Sequence, residues 1–190
     1  MMFSNAILSA ILATSALALP QVYPRGTPTS SAATSSSASP SSSASASAGG
    51  GGGVQIVNNL DSTVYVWSTS DGGSDQQTVS AGGTYSEKWQ KQTGDGGISI
   101  KMSTSEDKSS VLQFEYKVDG EKLYWDLSSI DLDKNSEFIK SGFSATPDDS
   151  SCKSASCSAG DANCAESYQH PDDVNTNSCT TGAGISVTLG

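Results

Sequence analysis

Val54-Gln55-Ile56-Val57-Asn58, then Asn59-Leu60-Asp61-Ser62, then Thr63-Val64-Tyr65-Val66-Trp67 is the stretch on which the fold turns. Two short runs of β-branched and aromatic residues flank a polar segment of Asn, Asp and Ser, the composition of a hairpin or tight strand pair. Everything before it is of low complexity. Everything after it repeats short apolar runs punctuated by Gly, Asp and Ser. The folded body is therefore predicted to start at Val54, with its other strands added around this first pair.

Toward the C-terminus the same pattern recurs. Gln76 to Ser80 reads as a weak strand and Thr84 to Trp89 as a stronger one. Glycine-rich turns flank them at Asp71-Gly72-Gly73-Ser74-Asp75, Ala81-Gly82-Gly83 and Thr93-Gly94-Asp95-Gly96-Gly97. Ile98 to Met102 and Val111 to Tyr116 alternate apolar and polar residues, the mark of strands with one wet face. Asp119-Gly120 is a tight hairpin signal before Leu123 to Leu127. Ser136 to Lys140 fits a helical turn or a strand equally well. Ile185 to Leu189 alternates once more, as a last strand returning to the sheet. Short strands with frequent turns and no sustained helical period predict an all-β antiparallel sandwich or barrel.

Toward the N-terminus the composition changes. Met1 to Ala18 is apolar, carries no charged side chain and ends in Ala16-Leu17-Ala18, a small-x-small pattern suited to signal peptidase. Residues 1–18 are expected to be a secretory signal peptide. Thr27 to Ala48 holds eleven Ser, three Thr, six Ala and two Pro, too little apolar area to offset the entropy of ordering the chain. Gly49 to Gly53 adds five glycines. Residues 19–53 thus read as a disordered linker, in a secreted chain an O-glycosylated stalk, and residues 54–190 as the folded domain.

All twenty acidic residues lie from Asp61 onward, against nine of the ten basic ones, so the folded region carries 9 − 20 = −11. Nucleic acid and anionic membrane surfaces would repel such a domain. With no long apolar stretch after Gly182, no membrane anchor is expected. Asp148 to Asn177 is polar, rich in small residues and holds Cys152, Cys157 and Cys164, with Cys179 just beyond, so it reads as a loop-rich lobe held by covalent links. Four cysteines in a secreted chain, without paired C-x-x-C spacing, predict two disulfides rather than a zinc site. Three connectivities remain open. No metal or cofactor is expected.

Several of these segments resemble thaumatin-like proteins. The runs Val54 to Asn59 and Thr63 to Trp67 look like that family's opening strands. Lys122-Leu123-Tyr124-Trp125-Asp126-Leu127-Ser128-Ser129-Ile130 resembles its Asp-Tyr-x-Asp-hydrophobic-Ser strand. The cysteine spacing, with Asp172-Asp173 before Cys179, is similar to its disulfide-rich lobe. The closest likeness is to the short fungal branch of antigenic or yeast-phase-specific thaumatin-like proteins. The resemblance implies a thaumatin-like antiparallel sandwich with a small lobe, and bridges Cys152–Cys179 and Cys157–Cys164. It also implies that Leu60 and the Leu189-Gly190 end stand where the family ties its first hairpin to its C-terminal end by a disulfide, both partners being absent together.

Larger members carry an acidic cleft associated with β-1,3-glucan binding and, in some, weak hydrolysis. Carried over by position, Asp126 matches the cleft well, and Asp172 or Asp173 stands for another carboxylate. Leu123 occupies a place expected to be Asp. Glu115 lies one residue from the family's Glu, with Phe114 in register, and a one-residue shift in a strand reverses the face. Lys101 loosely replaces the cleft's Arg. The competing reading of Glu115 and Asp126 is that they are solvated carboxylates on polar strand faces. His170, the only histidine, has no partner set for a nucleophilic triad. Trp67, Trp89 and Trp125 suit either a sugar platform or the core. These residues predict a secreted, wall- or surface-associated monomer that binds β-glucan or a host or neighbouring surface protein without catalysis, with an antigenic or adhesive role implied by the branch. A weak endo-β-1,3-glucanase using Asp126 with Glu115 and Asp172 is the alternative.

Overall fold

The structure is a computed structural model that describes residues 52–69, 75–92 and 94–190. The expected signal peptide, almost all of the expected stalk, most of the 71–75 turn and Thr93 lie outside the described residues. Among the described residues the strands are β1 (Gly53–Asn58), β2 (Val64–Ser68), β3 (Gln77–Val79), β4 (Thr84–Lys88), β5 (Ile98–Ser103) and β6 (Leu112–Asp119). After them come β7 (Lys122–Ser128), helix α1 (Glu137–Ser141), β8 (Phe143–Pro147), β9 (Ala155–Cys157), β10 (Asn177–Thr180) and β11 (Gly184–Leu189). They form a five-stranded sheet of order β4-β1-β11-β8-β9 and a six-stranded sheet of order β10-β7-β6-β5-β2-β3. Pairing is antiparallel except between β1 and β11, which run parallel and join the start of the domain to its end.

The opening stretch forms two strands but not a hairpin. β1 pairs with β4 and β11, whereas β2 pairs with β3 and β5 in the other sheet. Each strand buries alternate residues, Val54 and Ile56 from one and Val64 and Val66 from the other, within a single core. The segment between them is a corner from sheet to sheet, and the buried Asn58 builds it. Its Oδ1 accepts from the Leu60 N–H at 3.1 Å, while its Nδ2 donates to the carbonyls of Ser62, Val79 and Ser80 at 2.8, 3.0 and 3.1 Å. A side-chain amide thus ties the corner to the backbone at the end of β3.

Two glycines at the end of the expected hinge belong to the body. Gly53 opens β1, and a Cβ at Gly52 would collide with the Thr181 carbonyl and the Trp89 ring. Between the sheets, Ile56, Ile100, Phe114, Trp125, Leu127 and Val187 are fully buried, and the Phe114 and Trp125 rings stack with centroids 5.9 Å apart. Such burial is the main stabilising contribution. Ser136 to Lys140 resolves as helix: the Ser136 hydroxyl accepts from the Ile139 N–H at 3.3 Å, and Gly142, at φ +83°, ends it with an N–H bond to Phe138. Where the resemblance implied a missing disulfide, Leu60 is buried against Gly190, and the Asn59 N–H donates to the Leu189 carbonyl at 2.8 Å.

The lobe between β8 and β10 is organised differently. Asp149 Oδ1 accepts from the N–H and hydroxyl of Ser151, and Asp161 Oδ1 from the Asn163 N–H, so short carboxylate turns shape the lobe, with Ala155, Cys157 and Cys164 reaching the core. Disulfides join Cys152 to Cys179 and Cys157 to Cys164, with Cα atoms 5.4 and 5.5 Å apart.

Candidate functional site

Strand β6 reads Leu112-Gln113-Phe114-Glu115-Tyr116. Alternation sends Phe114 and Tyr116 into the core and Gln113 and Glu115 to the outer face of the six-stranded sheet. The Asp119-Gly120 turn pairs Asp119 with Lys122, with Gly120 at φ +60°. Register then runs unbroken and brings Glu115 directly opposite Asp126. On the other side Glu115 faces Ser99 of β5, while Gln113 lies between Lys101 and Ser128. The Ser99 hydroxyl donates to Gln113 Oε1 at 3.1 Å, and Gln113 Nε2 donates to the Ser128 hydroxyl at 3.5 Å. A strip of hydroxyl, amide and carboxyl groups therefore crosses three strands, with Trp67 opposite Lys101 at one margin and Tyr124 beside Asp126.

Directly opposed residues in an antiparallel pair hold their Cβ atoms about 4.5–5.5 Å apart, so the two carboxyl groups are side by side. Asp126 is mostly buried, and Oδ1 meets no hydrogen-bond donor among the described residues. Burial, with the neighbouring Glu115 charge adding to it, pushes Asp126 up to about 7. Burial also raises Glu115; the Ser99 hydroxyl and the Lys101 ammonium pull it back, and Asp131 adds to the rise. Two carboxyls set side by side in this way titrate as a coupled pair. The one-residue displacement of Glu115 thus leaves it on the same face as Asp126, with Phe114 in the core.

The other candidates lie elsewhere. Asp173 Oδ2 accepts from the Gln169 and His170 N–H groups at 2.7 and 2.9 Å, which holds its carboxyl below the usual range and commits it to shaping a turn. Asp172 and His170 are exposed in the same turn. Trp125 is core, and Trp89 packs edge-on to Tyr116 with centroids 4.9 Å apart. Trp67 is buried on the outer face beneath the Lys108 ammonium, 5.1 Å from its ring. Among the described residues the one cluster of metal-type ligands, Asp149 with Cys152 and Cys179, has both sulfurs in a disulfide. Reading the sequence missed Ser99, Gln113 and Ser128. The alternation of Gln113 with Glu115 and the register counted back from the Asp119-Gly120 turn are the signals that find them.

The structure thus sets a cystine-tied lobe beside a two-sheet body whose six-stranded sheet carries a carboxyl pair. Residues 41–190 match the family model Bys1, described as Blastomyces yeast-phase-specific protein. The chain is 49% identical over 137 residues to the secreted thaumatin-like protein calA of Emericella nidulans, spanning 72% of this chain and 80% of that one. It is 37% identical over 136 residues to the antigenic thaumatin-like protein of Arthroderma benhamiae, spanning 70% and 68%. Among solved structures it is similar to the protein elicitor MoHrip2 from Magnaporthe oryzae, with a TM-score of 0.58 and 26% identity over 73% of this chain and 98% of that one. The chain belongs to the Bys1 family of secreted, thaumatin-like fungal proteins.

Proposed function

We propose that this protein works outside the cell by binding a neutral polysaccharide of the β-glucan type on the outer face of the six-stranded sheet, without cleaving it. The observation that carries this reading is the register that sets Glu115 beside Asp126 in a strip with Ser99, Gln113 and Ser128. The partly exposed Ser99 hydroxyl and the Glu115 and Asp126 carboxyls offer donors and acceptors to sugar hydroxyls, while the buried Gln113 and Ser128 hold Ser99 in place from beneath. Hydrolysis asks for an acid and a second carboxylate flanking the scissile bond. Here both carboxyls project side by side from neighbouring strands, and Asp173 is committed to backbone N–H groups. A fungal cell wall is the natural source of such a glycan, with residues 1–18 as the leader and residues 19–51 as a glycosylated stalk. Retention of the secreted protein on insoluble curdlan is the expected result; a protein that stays wholly in the supernatant refutes the reading.

One observation favours a second reading, a weak endo-β-1,3-glucanase: Asp126 keeps its proton near neutral pH, as a general acid must. Reducing ends released from laminarin, and lost in Asp126→Asn, would establish it. Unchanged release in that variant would exclude Asp126 as the acid. The related proteins named as an antigen and as an elicitor raise a surface protein of a host or neighbouring cell as a further partner for the same sheet face.

A further inference from the structure

The pair at the centre of the strip has an arrangement that ordinary solvated carboxylates lack. Glu115 and Asp126 are locked opposite each other by a continuous ladder and a two-residue turn, so they cannot separate without breaking strand pairing. Asp126 Oδ1 is buried with no donor among the described residues. The charged groups near the pair are Lys101 from β5, Lys117 two residues along β6 from Glu115, and Asp131 from the loop after β7; Lys101 acts on Glu115, Lys117 donates to the Asp95 carbonyl at 2.9 Å, and among the described residues no cation offsets Asp126. We propose that Glu115 and Asp126 form a proton gate: the glycan is held while one proton stays with the pair, and it is released when that proton leaves.

This rests on the glycan-binding reading above and adds its regulation. A bound chain removes water from the face. Two adjacent negative charges without water repel more strongly and lose their solvation, whereas a pair that keeps one proton carries a single charge. Covering the site therefore raises the proton affinity of the pair, and binding takes up protons wherever the free pair is losing its last one. The coupling involves a single proton, so its ceiling is a tenfold loss of affinity per pH unit above the last ionisation. Burial has already brought that ionisation close to neutrality. A fungal surface protein with such a gate would hold glucan in acidic surroundings and let it go in alkaline ones.

Binding of the secreted protein to laminarin, measured by calorimetry between about pH 5 and about pH 8.5 in buffers of different ionisation enthalpy, tests the gate. The expected result is proton uptake approaching one per bound chain and a dissociation constant that climbs toward tenfold per pH unit at the alkaline end. Asp126→Asn, and independently Glu115→Gln, should flatten that profile whatever they do to the affinity itself. If one variant does not fold, the other makes the same comparison. A wild-type affinity flat across the range, or a variant that keeps the wild-type slope, overturns the gate and leaves the glycan reading standing. No binding at any pH overturns both.

Discussion

The two-sheet body and the lobe reach order by different means. The body buries Ile56, Phe114, Trp125 and Val187 between two continuous hydrogen-bonded sheets, and its buried Asn58 satisfies backbone directly. The lobe has one short strand, β9, and depends on two disulfides and on carboxylate turns at Asp149, Asp161 and Asp173. The difference teaches where chemistry can sit. Binding residues on the sheet inherit the rigidity of the ladder, while those in the lobe are already engaged in holding the lobe's own shape.

The largest expected effect tests the body. Phe114→Ala removes a fully buried ring that stacks on Trp125 and packs near Trp89 and Tyr116, and should cost about 3–5 kcal/mol in urea unfolding. A loss under about 1 kcal/mol would mean that the body is not the source of stability.

Next comes a gain from the outer face of the same sheet. Asp126 ordinarily titrates at 3.8 and is raised to about 7 in the fold, so the folded form binds the extra proton. Its contribution is fully present below the lower value, falls as pH rises between the two, and is gone above the upper one. Asp126→Asn cannot ionise and should be nearly neutral at about pH 4, yet stabilise at about pH 8 by up to about 4 kcal/mol, since each pH unit between the two values is worth about 1.4 kcal/mol. Unfolding curves for the two proteins at both pH values check this. A difference that is the same at both pH values counts against a strained carboxyl pair.

How much of this is legible without the structure depends on whether an element's partner is local. Alternation in Ile98 to Met102 and Val111 to Tyr116 marks β5 and β6 correctly, and the Asp119-Gly120 turn sets the β6–β7 register, from which Glu115 opposite Asp126 follows by counting. The parallel pairing of β1 with β11 joins the first strand to the last, and nothing local announces it. The same holds for the corner after β1: Asn, Asp and Ser mark a turn, but only the buried environment shows that Asn58 bonds to Val79 and Ser80 in place of a hairpin ladder. Five residues are too few to display a helical period, so only its caps identify α1 as a helix. Asp172 and Asp173 are equivalent as letters; the N–H groups that Asp173 accepts belong to residues folded back onto it.

Opening the long bridge tests the lobe. Cys152 and Cys179 are 27 residues apart, and the second lies on β10 opposite Leu123 of β7, so this link fastens the lobe to the edge of the six-stranded sheet. Replacing both by Ser should cost about 3.5 kcal/mol on the chain-entropy estimate. Proteolysis should then begin between residues 148 and 176 while the body stays intact. Cleavage starting in the sheets instead would mean that body and lobe unfold as one.

The short bridge sharpens the contrast, because it straddles the two regions. Cys157 and Cys164 are only 7 residues apart, so the same estimate gives about 2.4 kcal/mol for their joint replacement by Ala. Both cysteines, however, are buried within the core cluster, unlike the partly exposed Cys152. The segment they close has other attachments: β9 is paired to β8, and the Gly160 N–H donates to the Ile139 carbonyl at 2.7 Å. Loss of the bridge should therefore lower the midpoint of unfolding while leaving β9 in place, with faster amide exchange confined to the turn between the two positions. Glycan retention should not change, since Glu115 and Asp126 lie on the other sheet. A penalty as large as that of Phe114→Ala would show that this end of the lobe is stabilised as core, and would move the boundary between the two regions from Pro147 to beyond Cys164.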